Sequence, residues 1–142
     1  MPLTEVDEAE FDRLARLEGL TLVDFRADWC GPCHRFDTEL AKVASRHPNV
    51  TFVAIDVERE VHLAASARIQ SLPTIILMRD GWLLHRSSGL KTANELDKLI
   101  DKAESSELPD SVVTPGVGQQ LIGRLTGRQR PIRLVPPPAS GA

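Results

Sequence analysis

The apolar positions fall into short clusters whose spacing changes from one segment to the next. Leu3 to Val6 reads as a short edge strand. Asp7 then stands as an N-cap with Glu10 three residues on, a capping-box pattern. Phe11, Leu14 and Ala15 give that helix its apolar face, and Gly19 stops it. Leu20-Thr21-Leu22-Val23-Asp24-Phe25 is apolar on both faces apart from Asp24, which predicts a buried central strand. Phe36, Leu40, Val43 and Ala44 recur at helical spacing. That helix begins beside Cys30 and runs to about His47, where Pro48 and Asn49 end it.

Val50 to Val57, rich in β-branched residues, predicts a second central strand. Val61, Ala64, Ala65 and Ile69 mark one face of a short helix. Strand, helix, strand, helix is the order of a βαβ unit and implies a parallel pair. Two further strands, Thr74–Met78 and Trp82–Arg86, flank the turn signal Arg79-Asp80-Gly81 and should form a hairpin. Thr92 and Glu95 make another capping box, ahead of a last helix whose face is Leu96, Leu99, Ile100 and Ala103.

Composition changes this picture at one place. Six of the ten prolines and five of the nine glycines lie in 105–142, where net charge turns from negative to positive. The chain therefore divides into a domain over 1–104 and an extension over 105–142. Val117, Leu121, Ile122 and Leu125 share a face of a helical turn or two, with Arg124 and Arg128 nearby. The extension reads first as a solvated tail and second as a docking segment. At 142 residues and 42% hydrophobic content there is enough for one core, and no apolar run approaches membrane-spanning length. The acidic N-terminus lacks the apolar stretch of a secretion signal, which predicts a cytoplasmic protein. A net charge of −3 argues against general nucleic-acid binding.

The chemistry concentrates in Trp29-Cys30-Gly31-Pro32-Cys33-His34, which holds both cysteines, three positions apart. Cys30 sits where a strand gives way to a helix, and Pro32 suits the first turn, whose N–H groups have no intrahelical partner. The positive end of a helix favours thiolate over thiol. A disulfide reductase needs such a thiolate, with a second thiol in reach to resolve the mixed disulfide. Two other readings are weaker. A zinc site needs about four ligands, and His34, His47, His62 and His85 show no paired spacing, so no metal is expected. A purely structural disulfide would close too small a loop to restrain the unfolded chain.

Trp-Cys-Gly-Pro-Cys between that strand and that helix closely resembles the active-site signature of the thioredoxin family, and the likeness spans about residues 1–104. It implies a thioredoxin fold, an α/β architecture with a central mixed sheet flanked by helices on both faces. It also implies dithiol–disulfide exchange that reduces protein disulfides, with Cys30 as nucleophile and Cys33 as resolving thiol. Asp24 matches the family's buried aspartate, which moves protons for the resolving cysteine; the bland alternative is a carboxylate at the strand's exposed edge. Pro73 resembles the family's cis-proline, leaving the Leu72 backbone free to pair with an extended substrate. Trp29, Gly31, Pro32, Leu72, Pro73 and Gly89 would shape the groove. The resemblance implies disulfide-containing protein substrates, an electron donor like thioredoxin reductase, a monomer, and no bound cofactor beyond the Cys30–Cys33 disulfide.

Three positions depart from the pattern. Arg26 stands where the family usually has Trp, His34 where Lys is common after the second cysteine, and Ala54 where many members carry a Lys near the buried aspartate. Losing that Lys removes a cation that would lower the pKa of Asp24, while Arg26 and His34 are candidates to return positive charge near Cys30. Two other functions stay open: a thioredoxin-fold adaptor that holds partners through the extension, and a more oxidising oxidase or isomerase.

Overall fold

The computed structural model describes residues 3–108 and the backbone of 132–133. Strand β1 (Thr4–Glu5) leads into α1 (Glu8–Leu14), where Asp7 caps the helix by accepting from the Glu10 N–H at 2.8 Å. The capping box forms only by half, because the Glu10 carboxylate is drawn to Arg13 at i+3 instead of turning back. The helix also ends before Gly19: Arg16 and Leu17 bond back only three residues, tightening the chain into a turn. Gly19 takes a positive φ of 92° and donates its N–H to Asp80 Oδ1 at 2.8 Å, fixing the entry to β2.

Next come β2 (Leu20–Arg26), α2 (Gly31–Arg46), β3 (Thr51–Asp56), α3 (Val61–Ser66), β4 (Thr74–Arg79), β5 (Trp82–Ser88), α4 (Ala93–Ser105) and β6 (Ile132–Arg133). The sheet order is β1-β3-β2-β4-β5-β6. Strand β3 runs parallel to both β1 and β2, whereas β4 lies antiparallel to β2 and β5, so the sheet is mixed. Every residue of β2 is buried, as an inner strand requires. Alternation splits it: Leu20 and Leu22 pack with Phe36 and Leu40 of α2 and Leu96 and Ile100 of α4. Val23 and Phe25 pack with Phe11 of α1 and Leu63 of α3 on the other side. Helices thus cover both faces. This is the thioredoxin fold expected from the sequence.

Helix α3 presents a different face from the one expected. Leu63 and Ala67 point inward, whereas Val61 is 58% exposed. Six residues make too short a helix for spacing alone to choose between neighbouring faces. At the other end of the domain, the capping box of α4 forms as read, with Thr92 and Glu95 each accepting the other's backbone N–H. Leu99 is half-buried against the core. The helical face at Val117, Leu121, Ile122 and Leu125 lies outside the described residues. The backbone at Ile132–Arg133 pairs antiparallel with Leu83 and Trp82 of β5, a strand that nothing in the local sequence marks.

The core also reaches past residue 104. Leu108 packs against it, and Arg79 donates to the carbonyls of Ala103, Glu104 and Ser106. A chain cut after Glu104 is expected to melt about 4–8 °C below one cut after Leu108, the shift that about 1 kcal/mol produces in a domain of this size. Thermal unfolding followed by circular dichroism compares the two, and equal midpoints would end the domain at 104.

Candidate active site

Strand β2 ends at Arg26, and a short link through Ala27, Asp28 and Trp29 delivers Cys30 to the N-cap of α2. Pro32 occupies the first turn of the helix, and Cys30 holds extended backbone angles, with φ −82° and ψ 105°. Cys30 and Cys33 are joined as a disulfide with their Cα atoms 5.3 Å apart. The Cys33 N–H points at Cys30 Sγ, 3.2 Å away. Hence the sulfur of Cys30 acts as the helix cap, where the dipole and a backbone donor both favour negative charge. Cys30 keeps 4% of its surface and Cys33 none, so of the two residues only Cys30 retains any exposure.

Around this pair the remaining residues converge from separate parts of the chain. Ala27, Cys30 and Cys33 form a small apolar cluster with Val57 and Leu72 packed on it. The Leu72–Pro73 peptide bond is cis, as the resemblance implies. Gly89, with φ +93°, donates its N–H to Pro73 O at 2.9 Å, which ties the end of β5 to the loop before β4. Trp29 is 69% exposed and its indole N–H donates to the Glu58 carboxylate. Gly31 is exposed and has open space where a side chain would stand. The sequence-predicted residues therefore share one end of the sheet, apart from Asp24, which lies inside it.

Asp24 is wholly buried, so the edge-carboxylate reading is excluded. Its register partners are Ala54 on β3 and Ile75 on β4, neither of which offers a charge or a side-chain hydrogen bond. Arg26, two residues on in the same strand, shares its face. The structure shows where Arg26, a candidate to bring charge near Cys30, makes its contacts. Its side chain is 6% exposed, with Nε 3.9 Å from Asp24 Oδ2, Nη1 3.5 Å from Asp28 and Nη2 3.2 Å from Asp37. His34 is exposed; its Nε2 lies 2.6 Å from the Asp28 carbonyl and its Nδ1 3.9 Å from Asp37. Burial pushes the Asp24 carboxyl up to about 7, opposed by the Arg26 guanidinium and reinforced by the Asp37 carboxylate.

Two participants were not singled out from the sequence. Asp37 lies four residues after Cys33, on the same face of α2, a spacing that marks it in retrospect. Glu58, beside Trp29, is brought there from beyond β3 and no local signal announces it.

Comparison with known proteins agrees with this geometry. The sequence model of the Thioredoxin family matches residues 2–102. A thioredoxin of Chlamydia trachomatis is 42% identical over 84 residues, covering 59% of this chain and 82% of the relative. One from Mycoplasmoides gallisepticum is 34% identical over 94 residues, covering 66% and 94%. The crystal structure of oxidised mitochondrial thioredoxin 3 from Saccharomyces cerevisiae superposes with a TM-score of 0.65 at 31% identity, covering 70% of this chain and 94% of that one. With its cysteine pair bridged at the cap of α2 and a cis-proline loop packed beside it, the chain belongs to the thioredoxin family of thiol–disulfide oxidoreductases.

Proposed function

We propose that Cys30 is the attacking thiolate, Cys33 the resolving thiol and Asp24 the carrier of its proton. In the reduced protein, Cys30 Sγ attacks one sulfur of a substrate disulfide and the other sulfur leaves as a thiolate that takes up a proton. Cys33 then passes its proton to Asp24 and attacks Cys30 Sγ in the mixed disulfide. The Cys30–Cys33 bond forms, the substrate's second sulfur leaves, and two electrons have moved from protein to substrate. The observation that carries this reading is the bridged pair, with Cys30 at the cap of α2 keeping the little exposure that the pair has and its Sγ accepting from the Cys33 N–H.

Trp29, Gly31, Pro32 and Gly89 line the approach, and the Leu72 backbone before Pro73 is free to pair with an extended substrate segment. The partners are disulfide-containing proteins and a thioredoxin reductase-like donor that returns the electrons. We place the protein in the cytoplasm as a monomer carrying electrons to those substrates, with no bound cofactor, nucleic acid or membrane. Its net charge of −3 fits that placement, and among the described residues no helix is long and apolar enough to cross a membrane. The adaptor reading and the oxidase or isomerase reading are not favoured.

The trapping experiment tests the assignment. A Cys33→Ser variant should accumulate mixed disulfides with a substrate such as insulin, visible by non-reducing electrophoresis, and Cys30→Ser should accumulate none. If Cys30→Ser still reduces insulin disulfides, the nucleophile is misassigned.

A further inference from the structure

We propose that Arg26 is a positioning residue of the exchange reaction: its buried guanidinium is divided between Asp24 and Asp37, and that division governs how readily Asp24 accepts the Cys33 proton. The proposal rests on the assignment of Asp24 as proton carrier.

Neither Asp24 oxygen, nor Arg26 Nε, nor Asp37 Oδ1 has a hydrogen-bond partner among the described residues. Arg26 spends a hydrogen bond on Asp37 at 3.2 Å and reaches Asp24 only through space, Nε to Oδ2 at 3.9 Å. A fork-on-fork pairing would hold Asp24 ionised at every working pH. A through-space cation offsets burial only in part, which leaves the carboxyl able to take and release a proton near neutrality. Asp37 acts twice, by repelling Asp24 and by occupying the guanidinium.

Few other groups bear on Asp24. On its own strand the charge is Arg26; from the link beyond, Asp28; from α2, Asp37, with His34 next to it. The register partners of Asp24 on β3 and β4 are Ala54 and Ile75, and the partner of Arg26 on β3 is Asp56, whose carboxylate accepts from the Glu58 N–H and lies 3.9 Å from Arg59. The buried residues of α4, packed on the same face, are Ala93, Leu96, Ile100 and Ala103, none of which titrates. Ala54 offers no cation from β3, and Arg26 supplies one from the same strand as the carboxylate.

The test is a carbon-13 titration of the Asp24 side-chain carboxyl in the full oxidised chain, paired with the pH profile of insulin reduction. Arg26→Gln should raise the Asp24 midpoint by about one pH unit or more, Arg26→Lys should restore most of it, and Asp37→Asn should lower it. The alkaline rise in turnover should follow each midpoint in the same direction. A purely structural Arg26 would lower stability without moving the two variants' midpoints oppositely. A midpoint unchanged in Arg26→Gln, or raised in Asp37→Asn, overturns the proposal. If Arg26→Gln does not fold, the Asp37→Asn and Arg26→Lys titrations decide alone. Midpoints that move as expected while the turnover profile stays fixed would overturn the proton-carrier role of Asp24 itself, and the proposal with it.

Discussion

Replacing Asp24 by Asn should make the protein more stable at pH 8 by on the order of 4 kcal/mol, and slower in turnover. The carboxyl sits in an apolar layer at a folded pKa of about 7, whereas the unfolded chain ionises it near the ordinary carboxylate value. Below the unfolded pKa both states are protonated and the fold keeps its full stability. As pH rises towards the folded value, the unfolded state loses its proton first, and stability falls until both are ionised. Asn cannot ionise, so the gain should be almost nothing at pH 4, grow through the interval up to about 7, and level off above it. Urea unfolding of both proteins at pH 4, 6 and 8 reads this directly. A constant difference across the three would mean that something other than the charge separates them.

Phe36→Ala should remove about 3–5 kcal/mol, a large share of the roughly 5–15 kcal/mol that holds a domain together. Phe36 is fully buried beneath α2, where it anchors the helix that carries Cys30 and Cys33 onto β2. By contrast Thr38, two residues on and exposed, should change stability by no more than about 0.5 kcal/mol when replaced by Ala. Denaturant melts of the two variants compare them. A small effect at Phe36 would mean that α2 is held chiefly by its ties to α4, where Glu39 accepts from the Ala93 N–H and Asp97 meets Arg46 and His47.

Much of this arrangement was legible because local and global signals coincide. A continuous apolar run such as Leu20–Phe25 has nowhere to go but the middle of a sheet, and Pro32 in the motif fits only a first turn. The capping pair Thr92 and Glu95 works from sequence because both partners lie within one turn. The pair Asp7 and Glu10 did not close, since Arg13 competes for the same carboxylate and spacing cannot rank the two. Arg26 shows the deeper limit. Its place in the strand fixes the face it leaves from, but which of Asp24, Asp28 and Asp37 it meets depends on how α2 lies across the sheet. Strand β6 was illegible for a related reason: two residues among prolines carry no period, and only an available neighbour makes them a strand.

That neighbour has its own consequence. An outermost strand with unpaired amides is a template on which a second molecule can add its own strand, and proteins commonly blunt such borders. On one border of this sheet β1 is only two residues long, too short to template much. On the other, Ile132 and Arg133 occupy the start of β5, at Leu83 and Trp82, both nearly or wholly buried hydrophobics. The outermost strand there is therefore also two residues long, so both borders of the sheet end in a segment too short to template much.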